Sequence, residues 1–166
     1  MSARAPSLTS RAGAFLAFLA TPADAALFGR MFAWRLCLPG LKYALPLPRL
    51  ARLMSARARD DRRRPGRERR ILALTQRLYE PNALLAADDD CLERSLLTYR
   101  YLAREGADPR LVVGIREASG EGARGHVWVM VDGRPVTDTE ELIDSFAPIV
   151  SFGAAGTTLP AAASRN

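Results

Sequence analysis

Apolar and polar positions follow a regular pattern in the second half of the chain. From Cys91, just after Asp88, Asp89 and Asp90, the residues Leu92, Ser95, Leu96, Tyr99, Leu102 and Ala103 share one face of a helix, and Gly106 stops it. The apolar run over 111–115 reads as a strand. Residues 126–131 alternate as a second strand, and Asp132 and Gly133 turn it into a third that carries Asp138. A cysteine at a helix start thus faces a histidine and an aspartate on a hairpin.

The first half patterns as helices. Leu27, Phe28, Met31, Phe32, Arg35 and Leu36 mark an amphipathic helix that Pro39 and Gly40 are expected to end. Leu45, Pro46, Leu47 and Pro48 then read as an extended connector, because proline fixes its own φ and moves its predecessor out of the helical region. A short helix follows with Leu50, Leu53 and Met54 inward. Pro65 and Gly66 are expected to break a loop, and Ile71, Leu74 and Leu78 mark a helix beside the one at Cys91, closed by Pro81. After Asp138, a short helix at Glu140 is expected to bury Leu142, Ile143 and Phe146.

The fold class expected is α+β, a catalytic helix packed on a small antiparallel sheet with N-terminal helices. The expected division is a mobile segment over 1–22, a helical, arginine-rich extension over 23–70, a catalytic core over 71–152 and a disordered tail over 153–166. A chain of 166 residues is long enough for one domain with a real core. Charge changes the picture in one place. Residues 49–70 hold ten arginines against Asp60, Asp61 and Glu68, so the rest of a chain of net charge +6 is near neutral. Such a run is first a solvated surface; an acidic partner or an anionic membrane surface is the sharper reading. Nucleic acid is not expected, since the run has no aromatic residue for base stacking and no nucleic-acid-binding motif.

Arg4 and Arg11, the short apolar run over 13–20, and Ala23, Asp24 and Ala25 outline a secretory signal peptide. Against it, the run is short and a helical pattern continues beyond it. No uninterrupted apolar stretch has the length of a bilayer span, so a soluble or surface-resting protein is expected, and a free nucleophilic thiol, which survives best in a reducing compartment, fits the cytoplasm.

Two cysteines, Cys37 and Cys91, in no C-x-x-C arrangement, and one histidine make a poor zinc set, so neither metal nor other cofactor is expected. Cys37, inside an apolar helix, reads as packing. Cys91 differs by position: free N–H groups at a helix start favour a thiolate, while the preceding aspartates oppose it, so His126 has to supply the activation. With Asp138 holding the imidazole, Cys91, His126 and Asp138 form a candidate catalytic triad for acyl transfer to sulfur. The N–H of Cys91 is one oxyanion donor; the other is not legible, Gln76 being the only glutamine.

Register decides whether the triad can form. A two-residue type I′ turn pairs Val131 with Arg134 and faces Asp138 away from His126. A three-residue loop with Gly133 left-handed in a G1 bulge pairs Met130 with Arg134, Trp128 with Val136 and His126 with Asp138. The triad predicts the bulge; the other register leaves Asp144 or Glu140 as orienting acid.

Cys91, Leu92, Arg94, Ser95 and Leu96, then the run Leu111, Val112, Val113, Gly114, Ile115, Arg116, then His126, Trp128 and Val129, then Asp132, Gly133, Arg134 and Asp138 resemble the leader peptidase of lasso-peptide biosynthesis. That family is a transglutaminase-like branch of the papain-type cysteine proteases, and the resemblance covers roughly residues 23–152, through the order and spacing of several motifs. It implies a Cys-His-Asp peptidase that cuts a ribosomally made precursor between leader and core. It also implies a separate leader-binding protein and an ATP-dependent lasso cyclase as partners. Two rival readings are a non-catalytic peptide-binding relative, and an amidase or transglutaminase using the same three residues on another acyl donor.

Overall fold

Prolines start the N-terminal helices rather than break them. The computed structural model describes residues 21–56, 63–79, 90–118 and 122–160. Helices α1 (Pro22–Ala44), α2 (Leu47–Met54) and α3 (Pro65–Leu78) each carry proline in the first two helical positions, where its missing N–H has no intrahelical partner to lose. Thr21 caps α1 by accepting from the Asp24 N–H at 3.1 Å.

The expected break at Pro39 and Gly40 does not occur. The helix continues to Ala44 because Leu38 is fully buried and Lys42 pairs with Glu93 at 2.8 Å, contacts that outweigh one missing hydrogen bond. Its inner face is Leu27, Met31, Arg35 and Leu38, while Phe32, Leu36 and Cys37 are exposed, so Cys37 is not the packing residue expected. The connector expected at 45–48 is shorter, since α2 begins at Leu47; it buries Leu50, Ala51 and Met54 and leaves Leu53 exposed.

Pro65 and Gly66 open α3 instead of breaking a loop, which places several arginines where they clamp neighbours. Arg63 binds Glu68 at 2.6 Å and Asp132 at 2.5 Å, and Arg70 binds Asp24 at 2.9 Å. Such half-exposed pairs contribute about 0.2–1 kcal/mol each. Arg57, Arg59, Arg62 and Pro81 lie outside the described residues, as do positions 1–20, with the apolar run over 13–20, and 161–166.

Helix α4 (Cys91–Arg104) is the axis of the molecule. Helices α1, α2 and α3 pack on it from one side and the sheet from the other, so it is buried nearly all round: Leu96, Leu97, Tyr99, Tyr101 and Leu102 are each at most 3 % exposed. Each such side chain contributes about 1.5–3 kcal/mol of burial. Gly106, at φ +84°, ends the helix as expected, and the Ala107 N–H returns to the Leu102 carbonyl at 3.2 Å.

The sheet is antiparallel in the order β3-β2-β1-β4-β5, with β1 Arg110–Ala118, β2 Gly122–Val131, β3 Arg134–Pro135, β4 Ala147–Phe152 and β5 Thr158–Leu159. Val127, Val129 and Val131 face the helical core, whereas Trp128 packs with Val112 and Phe146 in a second, smaller cluster. Helix α5 (Glu140–Ile143) leaves Leu142 exposed, contrary to expectation, but Phe146 is buried and Ile143 packs on that second cluster.

Residues 153–160 are not the disordered tail expected. Strand β5 pairs with Ser151 and Phe152, and Tyr99 anchors the approach by donating to the Gly153 carbonyl and accepting from the Gly156 N–H. Gly156 is required there: at φ +73°, a Cβ would lie 2.6 Å from Arg52 Cα in α2.

Candidate active site

The β2–β3 turn has the register that threatens the triad. Asp132 and Gly133 are both left-handed, at φ +52° and +74°, and Val131 pairs with Arg134 and Met130 with Pro135. This is a two-residue type I′ turn, which matches strand twist and which aspartate and glycine both tolerate, so the expected G1 bulge is absent. Pro135 fits because it occupies a pair that exchanges no hydrogen bonds.

Asp138 nevertheless meets His126, because β3 stops. The Val136 N–H still reaches the Val129 carbonyl at 2.9 Å, but the Val129 N–H is taken by Thr137 Oγ1 at 3.2 Å instead of by backbone. The chain bends over 136–138, and Asp138 comes back with Oδ1 3.3 Å from His126 Nε2. The sequence placed Asp138 on a strand; it sits on a bend, which does the work assigned to the bulge.

Three groups hold the Asp138 carboxylate. Arg94 donates to Oδ1 at 2.6 Å and Thr137 Oγ1 to Oδ2 at 2.7 Å, while His126 stands at Oδ1. Burial pushes the carboxyl pKa up, but His126, Thr137 and Arg94 outweigh it and hold it below its ordinary value. Arg94 lies one turn beyond Cys91, so it ties the helix that carries the thiol to the acid that orients the imidazole.

Cys91 is the first residue of α4 and partly exposed. Val127 points its backbone toward where β3 would have continued, and with β3 gone Ser95 Oγ donates to the Val127 carbonyl at 2.8 Å. That bond docks the helix start against the open edge of β2, beside His126. Asp90 takes the N-cap position without capping: its carboxylate turns instead to Arg35, at 3.0 Å. The N–H groups of the first turn therefore have no side-chain cap among the described residues and can serve an oxyanion. Gln76 is exposed on α3, and no hydrogen bond among the described residues joins it to this cluster.

His126 is coupled to both neighbours. The Asp138 carboxylate beside it and then Cys91 raise its pKa from 6.5 to about 9, against the opposing effect of burial. Since Nε2 faces Asp138, Nδ1 is the nitrogen left for sulfur. Trp128 and Phe146 fix the ring plane, with centroids 6.1 Å and 5.0 Å from the imidazole. Gly114, paired across the strands with His126, leaves the slot for Trp128: a Cβ there would stand 2.8 Å from the indole. Gly114→Ala is therefore expected to displace Trp128 and tilt His126, destabilising the fold by about 1–3 kcal/mol and lowering kcat more than KM; thermal melting and steady-state kinetics check both.

The structure brings Cys91, His126 and Asp138 together, while Glu140 and Asp144 stay exposed on α5 and at its end. Sequence reasoning missed the supporting roles of Arg94, Ser95 and Thr137. The available signal was spacing, since Arg94 and Ser95 fall one turn from Cys91 and Thr137 adjoins Asp138.

A thiol at a helix start beside a histidine on β2 and a carboxylate on the bend after β3 is the arrangement of a papain-like cysteine enzyme of protease or transglutaminase type. The chain belongs to the transglutaminase-like superfamily, whose family model matches residues 32–151, from within α1 into β4. No curated protein and no solved structure matches the chain.

Proposed function

We propose that this protein is a cysteine peptidase that removes the leader from a ribosomally made lasso-peptide precursor. The observation that carries the chemistry is the coupling of His126 to both Cys91 and Asp138. The substrate class comes from the resemblance of the motifs around these residues to lasso leader peptidases.

In the reaction, His126 Nδ1 takes the thiol proton and the sulfur attacks the carbonyl carbon of the scissile bond. The oxyanion lies at the uncapped N–H groups of the first turn of α4. Collapse breaks the C–N bond, His126 returns the proton to the leaving amine, and a thioester remains on Cys91. Water, deprotonated by His126, then releases the leader acid. Asp138 keeps the imidazole oriented throughout and stabilises its charged form.

A cavity of about 700 Å³ supports a peptide substrate. Val112, Met130 and Ile143 line it together with Trp128 and Phe146, the two rings that pack against His126; Cys91, His126 and Asp138 do not line it, so the cavity reaches the imidazole only through those rings. Alternation along β2 puts His126, Trp128 and Met130 on one face of the sheet.

The resemblance also implies a separate leader-binding protein that presents the precursor, and a cyclase that consumes the core. Cleavage of the full precursor is expected to be severely slowed without the leader-binding protein. Mass spectrometry of precursor incubated with this protein, with and without that partner and with an added amine, reads the outcome. Hydrolysis between leader and core supports the proposal, and equal rates with and without the partner remove its presentation step. An amine adduct assigns transglutaminase chemistry instead, and an intact precursor under every condition leaves a binding module.

A further inference from the structure

Asp90 and Glu93, the described acids nearest Cys91 along the chain, are both neutralised from α1. Arg35, 3 % exposed, donates to Asp90 at 3.0 Å and to Glu93 at 3.1 Å, and Lys42 completes the pairing of Glu93 at 2.8 Å. The Arg35 guanidinium also lies 4.1 Å from the centroid of the Tyr79 ring, at the end of α3. Glu93 is itself 1 % exposed, so its charge is desolvated and projects strongly onto its surroundings unless cancelled. A buried arginine with two acceptors is well suited to this task, because its planar fork fixes both carboxylates at once.

Two consequences follow for the sulfur. Asp90 is drawn off its capping role, which leaves the first-turn N–H groups open. Two negative charges beside a group that must become negative are also offset by two positive ones. We infer that Arg35, assisted by Lys42, is a positioning residue for Cys91: it locks the first turn of α4 onto α1 and cancels the anionic field that Asp90 and Glu93 would otherwise place on the reacting thiolate. This inference rests on Cys91 being the nucleophile of the proposed reaction, but its test reads the sulfur directly and needs no substrate.

The groups facing the start of α4 are Arg35 and Lys42 from α1, Tyr79 after α3, Asp90 and Glu93 from α4 itself, and Arg94, His126 and Asp138 on the sheet side. Removing Cys37 leaves Cys91 as the only thiol, since the chain has two cysteines. In Cys37→Ala protein, Cys91 is alkylated by neutral iodoacetamide and by anionic iodoacetate. In both, sulfur forms a bond to carbon and iodide leaves with the electron pair, so the thiolate fraction cancels in the ratio of the two rates and the local potential remains.

Arg35→Gln is expected to lower the iodoacetate-to-iodoacetamide ratio about three- to tenfold, less at high salt. Arg35→Lys, which keeps the charge, is expected to hold the ratio within about twofold of the parent. Adding Glu93→Gln to Arg35→Gln is expected to bring the ratio back up. An unchanged ratio in Arg35→Gln with a parental near-ultraviolet circular dichroism spectrum overturns the inference. So does a parallel rise in both rates, which marks simple opening of the helix start. Should Arg35→Gln not fold, Lys42→Gln, at a more exposed pair, is expected to lower the ratio about twofold, and an unchanged ratio there overturns the inference as well. Loss of precursor cleavage in the parent with the alkylation pattern intact would remove the peptidase reading and leave this one standing.

Discussion

Cys91→Ala is expected to abolish precursor cleavage, with a fall in kcat/KM of about 10⁴-fold or more, while the protein stays folded. The size of the effect follows from covalent chemistry: without sulfur there is no acyl-enzyme, and the residual rate comes only from binding and the oxyanion site. The fold should survive because Cys91 is only partly buried and stands at the first position of α4, where alanine is a good helix former. Cys37→Ala is the matched control: its thiol is exposed on α1, so activity and melting temperature should both stay near the parent. Mass spectrometry of the products, with circular dichroism for the fold, decides the matter. Parental activity in Cys91→Ala would end any mechanism through a thioester.

Local pattern made the central elements legible. The face of α4, its stop at Gly106, and the strands around Val112 and Val129 follow from periodicity, because a helix packed on a sheet imposes both repeats on the sequence. The positions of Cys91 at a helix start and His126 on a strand were legible for the same reason, whereas Asp138 was expected on a strand and sits on a bend. What escaped the sequence was set by contacts distant along the chain. Pro39 stays inside α1 because Leu38 and Lys42 are held by the rest of the molecule. Leu53 and Leu142 face solvent although their spacing reads as core, while Ala51 and Arg35 lie inside. Strand β5 exists because Tyr99 and the backbone of Arg52 receive Gly156, which the composition of that segment does not reveal. Arg35 falls by spacing among the apolar positions of α1, but the partners that allow an arginine there, Asp90 and Glu93, lie far along the chain. The hairpin shows the limit most clearly. Turn chemistry gives two registers, the functional argument selects the bulge, and the protein uses the other, recovering the geometry through the Thr137 side chain.

Asp138→Asn is expected to change the pH profile as well as the rate. With the carboxylate in place, His126 titrates near 9, Asp138 being the largest cause and Cys91 the next. Activity that needs the thiolate and imidazolium together should therefore persist into mildly alkaline solution and fall as pH passes about 9, with the titration belonging to the coupled group. Asparagine keeps the shape and removes the charge, so the alkaline limb should move down toward the ordinary histidine value of 6.5, and kcat at pH 8 should drop roughly 10²-fold. Stability follows with a definite sign. His126 is raised in the folded state, so its favourable contribution is complete below 6.5 and is lost as pH rises through about 9. Asp138 is lowered, so its contribution is present above its ordinary value of 3.8 and is lost as pH falls through the depressed one. The His126–Asp138 contact is common to both shifts, and its stabilisation is therefore confined between those limits. The parent melting temperature should decline between pH 6.5 and about 9 by more than that of Asp138→Asn. Parallel pH–rate and pH–melting curves for the two proteins would show that Asp138 does not set the charge state of His126, and Arg94, which grips the same oxygen at 2.6 Å, would then be its principal partner.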